Sequence, residues 1–134
     1  MNPLKIYTEN EIATIVVDAA LKIHKQFGAG LLESVYHKVL VIELENRGLS
    51  VESEVPMPVI FEGNLVDSGY RADIIIEKKV ILELKAIQRN NFIHKKQLLS
   101  YLKLSNLKLG LLINFGLPLI KDGITRVVNG LEEC

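Results

Sequence analysis

Arg71-Ala-Asp-Ile-Ile-Ile-Glu-Lys-Lys-Val-Ile-Leu-Glu-Leu-Lys85 consists of two apolar, β-branched runs joined by a short charged segment. Such runs of five or six residues read as strands, and the charged segment as the turn between them. With residues 77–79 as the loop, 76 faces 80, 75 faces 81, 74 faces 82, and Asp73 stands opposite Glu83 on one face. Opposed side chains in a strand pair have Cβ atoms roughly 4.5–5.5 Å apart, where like charges destabilise the sheet. A positive group therefore belongs between the two carboxylates. Lys85, two residues beyond Glu83, projects from the same face because side chains alternate along a strand. A slip of one residue in this register sends the two acids to opposite faces and removes the site.

The rest of the chain bounds what such a site can belong to. With 134 residues, 49% of them hydrophobic, the length predicts one domain, residues 1–134, with an ordinary core. Lysine plus arginine and aspartate plus glutamate number sixteen each, so net charge does not mark a strongly basic nucleic-acid binder, and any such contact must come from local placement. The lone cysteine, Cys134, excludes an internal disulfide framework and a cysteine-rich zinc site, and fits a reducing compartment. The first residues lack the apolar stretch of a signal peptide. The most apolar run, Leu109 to Ile120, is broken by Asn114, Gly116 and Pro118 and is too short to span a bilayer. A soluble cytoplasmic protein with no membrane partner is the expectation.

Thr8-Glu-Asn-Glu11 has the spacing of a capping box and predicts a helix start. Ile12, Ile15, Val16, Ala19, Ala20, Ile23 and Phe27 then form one apolar stripe, closed by Gly28-Ala-Gly30. His24 beside this stripe reads as a packing or surface histidine. A second helix is expected from about Leu31 to Arg47, with Gly48 closing it. Glu33 in its first turn has two readings: a charge favoured by the helix dipole, or an inward-pointing functional acid, since Glu33, Tyr36 and Leu40 share a stripe.

Extended structure follows: Val51 to Val55, a block at Pro56-Met-Pro58 suited to an edge, Val59-Ile-Phe61, and Leu65-Val66 after a Glu62-Gly-Asn64 turn. Asp67 reads as a turn acid. Beyond Lys85, Asn90 or Asn91 caps a helix ending near Ser105 or Asn106, with Ile93, Leu98, Leu99, Leu102 and Leu104 on its apolar side. His94, Gln97 and Tyr101 make a polar stripe along it, of interest only where that stripe overlies Glu83 and Lys85. Leu107 to Phe115 is a buried strand, and Lys121-Asp-Gly123 turns into Ile124 to Val128. The order ααββββαβ(β) describes an α/β (α+β) fold, a central mixed sheet flanked by helices, with a right-handed parallel crossover around the third helix.

Carboxylate oxygens are hard donors suited to Mg²⁺ or Mn²⁺, which lowers the pKa of water and offsets charge on a phosphoryl oxygen. A lysine beside them orients water or stabilises negative charge developing at phosphorus. A lone Glu-x-Lys is equally a surface ion pair worth at most about 1 kcal/mol; an Asp at the matching cross-strand position strengthens the metal reading.

Gly30-Leu-Leu-Glu33-Ser-Val-Tyr36, Gly69-Tyr-Arg-Ala-Asp73, Glu83-Leu-Lys85, Gln97-Leu-Leu-Ser-Tyr101 and Leu109-Gly-Leu-Leu-Ile-Asn-Phe115 resemble the blocks of the GxxExxY protein family over nearly the whole chain. That family in turn resembles the PD-(D/E)XK, or restriction-endonuclease-like, nuclease superfamily. The resemblance implies a nuclease in which Asp73 and Glu83 bind Mg²⁺ or Mn²⁺, with the Leu84 carbonyl as a further oxygen and Glu33 as an extra metal or water ligand. Lys85 would assist the water or the scissile phosphate. Gln97, Tyr101, Tyr36 and His94 would support the site or touch the nucleic-acid backbone. Ala72 stands where the superfamily's name has proline, and Glu33 where some exonuclease relatives carry a histidine. The absence of a cysteine cluster excludes an iron–sulfur nuclease.

Two functions from different classes fit these residues. One is a metal-dependent phosphodiesterase acting on DNA or RNA; the other is a nucleic-acid-binding or protein-interaction module that keeps the nuclease fold without turnover. A two-carboxylate glycosidase fits poorly, because Lys85 and the short chain leave little room for a sugar cleft. A chain this small grips a duplex poorly alone, so a homodimer or a larger protein partner is expected.

Overall fold

The computed structural model describes residues 5–132; Cys134 and residues 1–4, which bear on the compartment and signal-peptide expectations, lie outside them. The elements are α1 (Glu9–Phe27), α2 (Glu33–Asn46), β1 (Val51–Pro56), β2 (Val59–Phe61), β3 (Asn64–Asp67), β4 (Arg71–Ile76), β5 (Val80–Lys85), α3 (Phe92–Ser105), β6 (Leu109–Asn114), a 3₁₀ turn (Ile120–Gly123) and β7 (Ile124–Val128). Five strands precede α3 where the sequence suggests about four; among the described residues β2 and β3 form a separate two-stranded sheet. Their tight turn places Glu62 and Gly63 at φ 49° and 81°, the positive values that two-residue hairpin turns require.

The α1 start is the expected capping box: the Glu11 amide donates to Thr8 Oγ1 (3.1 Å) and the Thr8 amide to Glu11 Oε1 (3.0 Å). Ile12, Val16, Ala19, Ala20 and Ile23 of its stripe are buried and Ile15 partly so, but Phe27 is exposed. The corner of the core near the end of α1 is filled instead by Tyr36, stacked on Phe115 with centroids 4.5 Å apart, while its hydroxyl donates to the Gly28 carbonyl. His24 packs as expected, Nε2 donating to the Leu117 carbonyl (2.9 Å). α2 starts at Glu33, two residues after the expected Leu31, because Leu32 takes the extended N-cap conformation.

The main sheet runs β1-β4-β5-β6-β7, antiparallel except for the parallel β5/β6 pair joined through α3. Alternation divides the strand residues between two cores. Ile74, Ile76, Leu82, Leu84 and Ile113 pack with α1 and α2; Ile75, Ile81, Leu112 and Val127 pack with α3. Gly110 permits the close approach of α3 to β6, since a Cβ there would meet Leu98 at 2.9 Å. The α3 boundaries follow the sequence, with the Asn91 side chain capping the Ile93 amide and Asn106 in a left-handed conformation. Its apolar side is narrower than expected: Leu98 and Leu102 are buried, whereas Ile93 and Leu104 are exposed. Among the described residues no helix is long and apolar enough to cross a membrane.

Candidate active site

The β4–β5 hairpin has the expected register, Ile76 opposite Val80, Ile75 opposite Ile81 and Ile74 opposite Leu82. Glu77 and Lys78 adopt positive φ in the loop. Regular pairing stops at Ile74/Leu82, one step before the acids. There β4 stays with β1, Val55 facing Ala72 and Pro56 facing Arg71, and leaves β5. The side chains of the next pair close the resulting fork: the Asp73 amide donates to Glu83 Oε1 (3.1 Å), and the Leu84 amide donates to Asp73 Oδ2 (2.8 Å). Each carboxylate thus spends one oxygen on the opposite strand, and among the described residues no backbone amide reaches Asp73 Oδ1 or Glu83 Oε2.

Glu83 is one of two buried polar residues identified, the other being Asn114. Burial first, and the Asp73 charge second, push its carboxyl up to about 8 from an ordinary 4.5, with Lys85 opposing. The Lys85 charge also acts on Glu33 and His94, so these groups share one neighbourhood. Glu33 is exposed rather than inward-pointing, because it opens α2 and Tyr36, one turn later, takes the inward position. Its carboxyl is raised by partial burial, with Lys85 lowering and Asp73 raising it. His94, half-buried on α3, is pushed down by burial and by Lys85, which favours the neutral ring. Its Nδ1 is buried with no hydrogen-bond partner among the described residues.

Tyr101 is buried, and its hydroxyl is raised by burial and then by the charges of Glu83 and Asp73, so α3 does bring this residue over the carboxylates. Gln97 lines an adjoining cavity with Tyr101 rather than touching the acids. Tyr36 lies away from them in the helical core; besides donating to Gly28, its hydroxyl accepts from the Leu31 amide (3.1 Å), fixing the loop that leads to Glu33. Asp67 is a turn acid, Oδ1 accepting from the Gly69 amide (2.6 Å).

Two features escape a motif-based reading. Tyr70 packs edge-on to Tyr101, centroids 6.1 Å apart. In addition, the segment from Ala86 to Lys121 contains six lysines and arginines and no aspartate or glutamate, a local basic bias hidden by the overall balance. A windowed charge count would have exposed it.

The donors suit a small hard cation. Asp73 and Glu83 repel each other when both are ionised, and a divalent ion relieves that repulsion. Mg²⁺ is commonly held by one or two carboxylates and keeps several waters, a demand to which a carboxylate pair corresponds; no group of three His, Cys, Asp or Glu side chains is gathered for a metal among the described residues.

Residues 10–127 match the sequence model of the PD-(D/E)XK nuclease superfamily. Among solved structures, the chain is similar to one titled "Crystal structure of SSO0001", with a TM-score of 0.56 and 24% identity over 90% of this chain, which spans 62% of that chain. That likeness speaks to the fold alone. No curated protein matches the chain.

Proposed function

The chain belongs to the PD-(D/E)XK nuclease superfamily, and we propose that it is a divalent-metal-dependent nuclease hydrolysing phosphodiester bonds of DNA, with RNA as the alternative substrate. The observation that carries this is the fork between β4 and β5, where Asp73 and Glu83 interlock and Lys85 follows on the same strand. Asp73 and Glu83 would hold Mg²⁺ or Mn²⁺, with the Leu84 carbonyl as a further oxygen and Glu33 as an outer ligand. When bound, the cation supplies Lewis acidity and offsets charge on the phosphoryl group. Lys85, fixed in the ladder opposite Asn114, orients the attacking water and stabilises negative charge as the new P–O bond forms and the bond to the leaving oxygen breaks. His94 and Tyr101 border the site, and Tyr36 supports the loop before Glu33. The signature at Gly30, Glu33 and Tyr36 supports placement within the GxxExxY family.

The test is an assay over labelled single- and double-stranded DNA and RNA with Mg²⁺, Mn²⁺ or EDTA. Cleavage should need the metal and vanish in Asp73→Ala, Glu83→Ala and Lys85→Ala proteins that remain folded by circular dichroism. A wild type inactive on every strand overturns the proposal. The lack of a third gathered metal-binding side chain among the described residues favours a second reading, a nucleic-acid-binding or protein-interaction module without turnover, for which binding persists in EDTA. A cytoplasmic protein acting as a homodimer or with a larger partner completes the proposal; a monomer by light scattering at micromolar concentration removes the dimer.

A further inference from the structure

Beside the carboxylates lies a cavity of about 510 Å³ lined by Val59, Tyr70, Gln97, Ser100, Tyr101, Lys103 and Leu104. Its size falls within the roughly 300–1,000 Å³ of small-ligand sites and is ample for a single nucleobase. The lining divides by chemistry. Val59 of β2, Leu104 of α3 and the ring of Tyr70 are apolar, and Tyr70 is 43% exposed, so its ring remains available for contact. Gln97, Ser100 and the Tyr101 hydroxyl supply donors and acceptors, and Lys103 supplies a positive charge.

Chain connectivity ties this cavity to the fork. Tyr70 lies three residues before Asp73, and its carbonyl is fixed by the Met57 amide (2.7 Å). Tyr101 is the wall shared by the two sites, edge-on to Tyr70 and buried over the acids. The helix that forms the other side carries Lys95, Lys96 and Lys103 and no acid, which complements a polyanionic strand.

Resting on the nuclease reading above, we propose that this cavity holds one unpaired nucleobase of the substrate strand, next to the phosphodiester positioned at Asp73, Glu83 and Lys85. Tyr70 is the stacking platform, Gln97 meets the polar edge of the base, and Lys103 meets a neighbouring phosphate. A base in a duplex has its pairing edge occupied and both faces stacked, so it enters only at the cost of unpairing and unstacking, a few kcal/mol that an unpaired base does not incur. The site therefore prefers single strands or frayed ends, and tolerates different bases because every base has a π-face.

The test measures binding of the full chain in EDTA to a fluorescein-labelled single-stranded oligonucleotide and to a hairpin duplex. Wild type binds the single strand more tightly, and an oligonucleotide carrying 2-aminopurine loses fluorescence on binding as the base stacks. Tyr70→Leu weakens single-strand binding about 5- to 160-fold, the range of base–aromatic stacking, with a smaller loss on the duplex; Tyr70→Phe, which keeps the ring, binds as wild type. Lys103→Ala flattens the salt dependence. A Tyr70→Leu protein that binds the single strand like wild type, or a wild type that binds both forms equally, overturns the base pocket while leaving metal-dependent cleavage intact. A wild type that neither binds nor cleaves any strand overturns the nuclease reading and the pocket together.

Discussion

Asp73 and Glu83 each anchor the other's strand: the Asp73 amide donates to Glu83 Oε1, and Asp73 Oδ2 accepts from the Leu84 amide directly after Glu83. The two acids thus replace the rung that the hairpin loses where β4 leaves β5. The interlock holds the pair together against its own repulsion, and burial together with the Asp73 charge raises the Glu83 carboxyl.

Glu83 makes stability depend on pH in the metal-free protein. Its carboxyl is raised from 4.5 to about 8, so the folded state binds the proton more tightly than the unfolded state. The stabilisation from that proton is fully present below about pH 4.5 and is lost as pH rises through about 8. Urea denaturation in EDTA should show stability falling by a few kcal/mol, as an order of magnitude, across that window. Glu83→Gln should flatten the fall. A wild-type profile level between pH 5 and 8.5 contradicts this assignment.

Metal binding should release this proton. The upward shift of the Glu83 carboxyl favours its protonated form in the metal-free protein, and a coordinating carboxylate must be ionised. Calorimetric titration with Mg²⁺ in two buffers of different ionisation enthalpy should report about one proton released per ion. Lys85→Met should raise the Glu83 carboxyl further, because the lysine charge opposes the upward shift. That variant should ionise Glu83 only at higher pH and lose roughly 10²-fold or more in cleavage; a Glu83 carboxyl that does not move separates Lys85 from the carboxylates.

The hairpin register was legible because two apolar runs around a charged loop admit one pairing that buries both. The fork was not, since it depends on β1 holding β4 beyond Ile74, a tertiary contact that no local pattern encodes. Helical periodicity gives the direction of each apolar face but not its width, and the core ends before reaching Phe27, Ile93 and Leu104, which share the periodic stripes but are exposed. The same limit applies to Glu33, whose angular position matches Tyr36 but whose place at the first turn leaves it at the rim. Tyr70 and the cavity depend on the separate β2–β3 hairpin coming near α3, which Val59 and Leu104 record only in three dimensions.

Tyr36 should prove structural. Tyr36→Phe removes the hydroxyl that donates to Gly28 and accepts from Leu31, leaving two half-buried backbone groups short of a partner; the cost should be about 0.5–1.5 kcal/mol by chemical denaturation. Cleavage per folded molecule should change little. A large loss of turnover with stability intact assigns the hydroxyl to the chemistry.

Gly110 and Leu98 form a testable packing pair. A Cβ on Gly110 meets Leu98 at 2.9 Å, so Gly110→Ala should cost about 1–3 kcal/mol through overpacking. Shortening Leu98 to alanine alone should cost about 2–5 kcal/mol by leaving a cavity. In the double variant the new methyl occupies part of that cavity, and the measured cost should be less than the sum of the single costs. Strict additivity places the strain of Gly110→Ala elsewhere.

Glu33 separates the dipole and functional readings that its position leaves open. It is exposed at the first turn of α2, yet its carboxyl senses both Lys85 and Asp73. If its function is to hold an outer ligand of the site, Glu33→Gln should slow cleavage about 10- to 100-fold, the range seen when outer-shell partners of a metal site are removed. Stability should move by less than about 0.5 kcal/mol, as for other surface substitutions. Glu33→Asp, which keeps the charge near the helix N-terminus but shortens its reach, should retain stability and recover only part of the rate. A Glu33→Gln protein with full activity and a loss of about 0.3–1 kcal/mol in stability is the signature of a dipole partner alone.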